Sequence, residues 1–61
     1  MPEVIVFAAT GRTTEQKRGL VKDITDAVAR NFGVPADTVV IQIVESPSDS
    51  KAKGGILFSD R

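Results

Sequence analysis

A chain of 61 residues with eight basic and eight acidic side chains carries no net charge, so it lacks the basic surplus that marks a nucleic-acid or anionic-membrane surface. It has no cysteine and no histidine, which removes disulfides and Cys/His zinc sites as ways of stiffening a small scaffold; Asp37, Asp49 and Asp60 are scattered, and no metal or cofactor is expected. One domain of this size, spanning residues 1–61, buries only about 60% of its unfolded surface, and oligomerisation is the remaining remedy. No apolar run approaches a membrane span, and the N-terminus lacks the basic start and apolar stretch of a secretory signal, so the expected compartment is the cytoplasm.

Pro2 stands directly behind Met1 and directly ahead of an apolar run, Val4 to Ala8. A small second residue usually allows the methionine to be trimmed, which would leave proline with a free secondary amine. An α-amino group titrates close to neutrality, and apolar surroundings favour its neutral form further. Such an amine can serve as a general base. The blander explanation is that a strand start tolerates proline because it needs no donor there. Within the run, Val4, Val6 and Ala8 alternate with Ile5, Phe7 and Ala9, so the predicted strand is apolar on both faces and expects cover on both.

Thr10-Gly11-Arg12-Thr13 breaks the strand, and Thr13 with Gln16 fits a capping box at a helix start. From Glu15 to Phe32, the residues Leu20, Val21, Ile24, Ala27, Val28 and Phe32 recur at steps of three and four, which predicts one buried stripe. The opposite face carries Lys17, Arg18, Lys22, Asp23, Asp26 and Arg30; Lys22 with Asp26, and Asp26 with Arg30, are opposite charges one turn apart on a solvated face. Gly33 sits where a helix end favours a left-handed residue, and Pro35 prevents continuation. A turn through Pro35-Ala36-Asp37-Thr38 leads to a second strand, Val39 to Val44, again apolar on both faces.

Two strands joined by a helix predict a right-handed βαβ crossover with parallel strands, an α/β fold. One helix covers one face only. The other would be an exposed apolar patch of the kind that marks an interface, and an obligate oligomer follows. The tail opens with a polar stretch, Ser46 to Lys53, which predicts a loop. Gly54-Gly55 then leads into Ile56-Leu57-Phe58, a triplet suited to an edge strand or to packing on a neighbouring subunit.

Arg12 lies between strand and helix, where open α/β sheets tend to bind ligands, and its planar fork suits a carboxylate. An exposed loop arginine is the commoner case. Together with Pro2 it makes a candidate constellation of amine base and carboxylate clamp, enough to move a proton on a small keto or enol acid. Gly54-Gly55 lacks the further glycines and the lysine of a phosphate-binding loop and reads as a turn. Glu45, at the end of the second strand, reads as a solvated acid.

These residues, in this order and at this length, resemble the 4-oxalocrotonate tautomerase family: Pro2 after Met1, an apolar strand, Gly11-Arg12-Thr13, Glu15-Gln16-Lys17 with Leu20, the amphipathic helix, Pro35 before a Val-rich strand, Glu45 and Gly54-Gly55. The resemblance covers essentially the whole chain. It implies a βαβ subunit with a short C-terminal hairpin, dimers that pack sheets edge to edge, and a hexamer. It further implies that Pro2 is the catalytic base and that Arg12 contacts a carboxylate of a small substrate, without a cofactor. Two positions depart from the family's pattern. Val40 stands where the best known members have a second arginine that polarises the substrate, and Lys51 stands where they have an aromatic wall. The ammonium of Lys51 can partly compensate by disfavouring protonation of a nearby amine.

The leading reading is a small isomerase, a keto–enol tautomerase. One alternative is a non-catalytic or partner-dependent subunit of a hetero-oligomer whose other chain supplies the missing arginine. Another is a relative that uses the proline for hydration, dehalogenation or decarboxylation of an unsaturated or oxo acid.

Overall fold

The computed structural model describes residues 1–61 throughout. Strand β1 (Glu3–Ala9) leads into helix α1 (Thr14–Phe32), a short 3-10 turn (Ala36–Thr38) and strand β2 (Val40–Ser46). A second 3-10 turn (Ser48–Ser50), strands β3 (Ala52–Lys53) and β4 (Ile56–Leu57), and a final 3-10 turn (Phe58–Asp60) complete the chain. No helix is long and apolar enough to cross a membrane.

The helix begins and ends where its cap residues dictate. Thr13 Oγ1 accepts from the Gln16 backbone N–H at 3.1 Å, and Gln16 Oε1 accepts from the Thr13 N–H at 2.9 Å, so two donors that the first turn leaves unpaired are satisfied reciprocally. At the other end Gly33 adopts φ 68° and ψ 38°, and its N–H donates to the Ala29 carbonyl at 3.0 Å. A side chain at that left-handed position would be strained. On the solvated face Lys22 pairs with Asp26 at 3.0 Å. Asp26 and Arg30 form no ion pair, although their spacing permits one.

β1 and β2 pair in parallel with Val4 opposite Ile41 and Val6 opposite Ile43. Those four side chains form the face under α1 and are partly buried, as are Val21, Ile24, Ala27 and Val28 on the helix. Alternation sends Ile5, Phe7 and Val40 to the opposite face, where they are 51%, 74% and 38% exposed. No residue of the chain is fully buried. The accessible surface is 4708 Å², against about 3,800 Å² for a compact monomer of this mass. The radius of gyration, 14.8 Å, likewise exceeds the roughly 10.5 Å of a compact domain of this length. One chain therefore builds a helix-on-sheet layer with half a core.

Three sequence expectations shift. β2 begins at Val40, because the Val39 N–H is taken by the Ala36 carbonyl at 3.1 Å to close the 3-10 turn, and it runs on through Ser46. The polar stretch after Ser46 is not all loop, since Ser48–Ser50 forms a 3-10 turn and Ala52–Lys53 forms β3. Ile56–Leu57 pairs antiparallel with that strand inside its own chain, Ala52 opposite Leu57 and Lys53 opposite Ile56, as a separate hairpin instead of an edge added to the main sheet. Gly54 and Gly55, with φ of 61° and 82°, are the hairpin's turn. Positive φ at both central positions is what a type I′ turn, one of the two-residue turns that suit twisted strands, requires.

Candidate functional site

Parallel strands send both carboxyl ends to the same edge of the sheet, and two clefts open there. The larger, of about 270 Å³, lies between that edge and the first turn of α1; its floor is Ala8, Ala9, Leu20 and Ile43, and its polar rim is Arg12, Gln16, Lys17 and Glu45. Gly11, at φ 119°, turns the chain out of β1 so that Arg12 falls just before the Thr13 cap. The amide of Thr10 donates to the Ser46 carbonyl at 3.2 Å and closes the sheet behind this loop.

Charge on the rim is partly spent. The ammonium of Lys17, on the first turns of α1, forms an ion pair with the carboxylate of Glu45 at the end of β2, and both side chains are only partly exposed, 37% and 25%. Glu45 is thus not the free acid that its position suggested. Gln16 is committed to the capping box. Arg12 has no ionic partner, so the cleft presents one uncommitted guanidinium over an apolar floor.

The smaller cleft, about 80 Å³, is lined by Ala8, Ala9, Ser46, Pro47, Ser48, Lys51 and Phe58. It shares Ala8 and Ala9 with the larger one, so the end of β1 separates the two. The ammonium of Lys51 sits 5.6 Å from the centre of the Phe58 ring, and the Arg61 guanidinium lies at the same distance from it. The Lys51 carbonyl accepts from the Phe58 N–H at 2.8 Å, which ties the residue before β3 to the final turn.

Pro2 lies elsewhere. Its carbonyl accepts from the Val40 N–H at 2.9 Å, the rung that opens the ladder at the amino ends of β1 and β2. Seven residues of β1 separate this end from the clefts, a span of about 23 Å at the rise of an extended strand. Of the four singled-out residues, Pro2 and Val40 therefore share one end of the sheet, while Arg12 and Lys51 share the other. The pairing of Pro2 with Arg12 inside one chain does not occur. The length of the apolar run already implied this separation, because a seven-residue strand holds its ends apart. The Lys17–Glu45 pair left no comparable local signal, since its partners are brought together only by the crossover.

Comparison with known proteins gives the site its context. Residues 2–61 match the family model described as "Tautomerase enzyme". The chain belongs to the tautomerase family. A protein of Bradyrhizobium diazoefficiens named "Probable tautomerase bsl7456" is 56% identical over 61 residues, covering 100% of this chain and 91% of the relative. Among solved structures, a 4-oxalocrotonate tautomerase homologue superposes with a TM-score of 0.92 at 38% identity, covering 100% and 97% of the two chains. A chain of the heterohexameric 4-oxalocrotonate tautomerase of Chloroflexus aurantiacus gives 0.87 at 33% identity, covering 98% and 97%. The βαβ unit with its small antiparallel hairpin is thus the tautomerase fold.

The pKa of Lys22 on the exposed face of α1 is raised, first by its hydrogen bond to Asp26 and then by the charge of that carboxylate.

Proposed function

We propose that the chain is an isomerase, a keto–enol tautomerase of small carboxylic acids, with Pro2 as general base once Met1 is removed and Arg12 as the carboxylate clamp. The observation that carries this reading is the free guanidinium of Arg12 over an apolar floor at the carboxyl edge of the sheet. Family membership supplies the reaction class. With Met1 attached, the Pro2 nitrogen is a tertiary amide and cannot accept a proton; after trimming it is a secondary amine with a lone pair. That lone pair takes a proton from the enol hydroxyl and the resulting ammonium returns it to a carbon of the conjugated chain, so that the enol becomes a ketone and the base is regenerated. Arg12 holds the carboxylate through paired charge-assisted hydrogen bonds and keeps the donor and acceptor positions in reach of the amine.

Because Pro2 and Arg12 occupy opposite ends of a seven-residue strand, the site is built from two protomers, with the amino end of one sheet facing the carboxyl edge of another. The exposed Ile5, Phe7 and Val40 supply the surface for such an assembly. The excess surface, roughly 900 Å² over a compact monomer of this mass, is close to the roughly 800 Å² that each partner contributes to a standard interface.

Native mass spectrometry with subunit mass, followed by turnover of an enol acid by Pro2→Ala, tests the reading. Expected are an oligomer of subunits lacking Met1 and a loss of about 10²–10⁴-fold in rate in the variant. Full activity of Pro2→Ala, or of a protein that retains Met1, would overturn it. A second reading rests on Val40, the apolar residue that opens β2 and whose N–H donates to the Pro2 carbonyl at 2.9 Å, because it puts no basic side chain at that position. A partner chain of different sequence would then complete the site. An inactive homo-oligomer that gains activity on mixing with a second chain selects that reading.

A further inference from the structure

We infer that Lys17 is a positioning residue: by holding Glu45 in an ion pair, it keeps that carboxylate off the Arg12 guanidinium and leaves Arg12 free to take an anionic substrate. The inference rests on the reading of Arg12 as the carboxylate clamp and is independent of Pro2 as the base.

The charges that line the larger cleft are two cations, Arg12 and Lys17, and one acid, Glu45. One cation is therefore left over when the acid is paired, and which one it is decides whether the cleft can hold a carboxylate. A guanidinium is the stronger partner, since its planar fork meets both carboxylate oxygens at once. An Arg12 paired with Glu45 would mimic the bound state, with the clamp closed on the protein's own acid. The structure shows the other pairing: Lys17 takes Glu45, and Arg12 has no ionic partner.

The backbone brings all three charges to one place. Glu45 stands opposite Ala8 in the parallel register, and Ala8 is on the floor of the same cleft. Thr10, two residues before Arg12, donates its amide to the carbonyl of Ser46, the residue after Glu45, at 3.2 Å. On the other side of Arg12, the Thr13 carbonyl accepts from the Lys17 N–H at 3.1 Å. Arg12 is thus bracketed by two hydrogen bonds, one to the neighbour of Glu45 and one to Lys17 itself. Lys17 has the advantage in placement, because it projects from a regular helix whose first turn is fixed by the capping box, whereas Arg12 lies in the loop that follows Gly11. Its pair with Glu45 is partly withdrawn from water, so it is screened less than an ion pair on the open surface. Gln16, the remaining polar side chain of the cleft, is held in the capping box and carries no charge to replace Lys17.

The probe is sorbate, a conjugated monocarboxylate with no enol proton to move, and its affinity is measured calorimetrically on the assembled protein. Arg12→Ala should lose at least about tenfold in affinity, the scale of a hydrogen bond to a charged group. Lys17→Met should lose a comparable factor, because Glu45 then occupies Arg12, and Lys17→Arg should bind as wild type does. The deciding variant combines Lys17→Met with Glu45→Gln: it lacks the tie between helix and strand just as Lys17→Met does, yet it should recover the affinity of wild type. A tie that matters only for structure predicts the reverse, a double variant as weak as the single one. In the ligand-free protein, the Arg12 Nε–H resonance should move in Lys17→Met and return in the double variant. Undiminished binding by Lys17→Met, a double variant that stays weak, or no measurable binding by wild type would overturn the inference. If Lys17→Met does not fold, Glu45→Gln decides, since it breaks the same pair with no acid left to compete: weakened binding overturns the inference and retained binding supports it. A weak Arg12→Ala beside a weak double variant removes the inference and leaves the clamp reading standing, whereas an Arg12→Ala that binds like wild type removes the clamp reading itself.

Discussion

Replacing Phe7 with aspartate should dissolve the assembly. Phe7 lies at the middle of the uncovered sheet face with 74% of its surface exposed. A phenylalanine offers roughly 200 Å², so about 150 Å² is available for burial, and at about 25 cal/mol per Å² its removal from water contributes about 4 kcal/mol per protomer. A two-fold interface contains the ring twice, which raises the upper bound to about 8 kcal/mol, or five to six decades in dissociation constant. Aspartate removes that gain and places a carboxylate where a partner's apolar face would have to desolvate it. Sedimentation velocity across a concentration series, with thermal unfolding monitored in parallel, reads both consequences. The variant should sediment as monomer and lose most of its cooperative unfolding, because a chain with no fully buried residue cannot hold a core alone. Arg18→Ala, on the opposite, solvated face, should leave both unchanged. A Phe7→Asp protein with the assembly and melting temperature of wild type would refute the argument that this face is the interface.

Thr13→Ala removes one half of the capping box and should cost about 1 kcal/mol in urea denaturation; because Arg12 is the residue next to the cap, kcat/KM for an anionic substrate should fall as well, and an unaltered value would separate the cap from the site. For Lys22, the folded-state value lies above 10.5. Its ion pair with Asp26 therefore stabilises the fold fully below the unfolded value and is lost as pH rises through the folded one. Asp26→Asn should flatten stability against pH in that alkaline range only, and the small difference should shrink with added salt; a difference at neutral pH that grows with salt would contradict the pairing.

The local elements were legible because their signals are local. The Thr13–Gln16 box, Gly33 and the period of the apolar stripe lie within a turn or two of what they control, and the helix starts and stops there. β2 slipped by one residue because the Val39 amide is claimed by a 3-10 turn, a competition between two hydrogen-bonding patterns that hydrophobic alternation cannot express. The hairpin was missed from residues alone for a related reason. Each of its strands has two residues, too few for any period, and the informative feature was Gly54-Gly55 between them. The candidate site was legible in its residue types but not in its arrangement.

That arrangement follows from one constraint. A parallel βαβ unit places the start of β1 and the loop after it at opposite ends of a rigid strand, so no local adjustment of one chain brings Pro2 to Arg12. A chemistry that needs both must be assembled between protomers, and the face that would join them is the same apolar face that one helix cannot cover. Under the proposed mechanism, stability and catalysis would both depend on a single surface, Ile5, Phe7 and Val40. A substitution there should lose activity in step with assembly, whereas changes at Arg12 or Lys17 should alter the handling of substrate while the assembly stays intact.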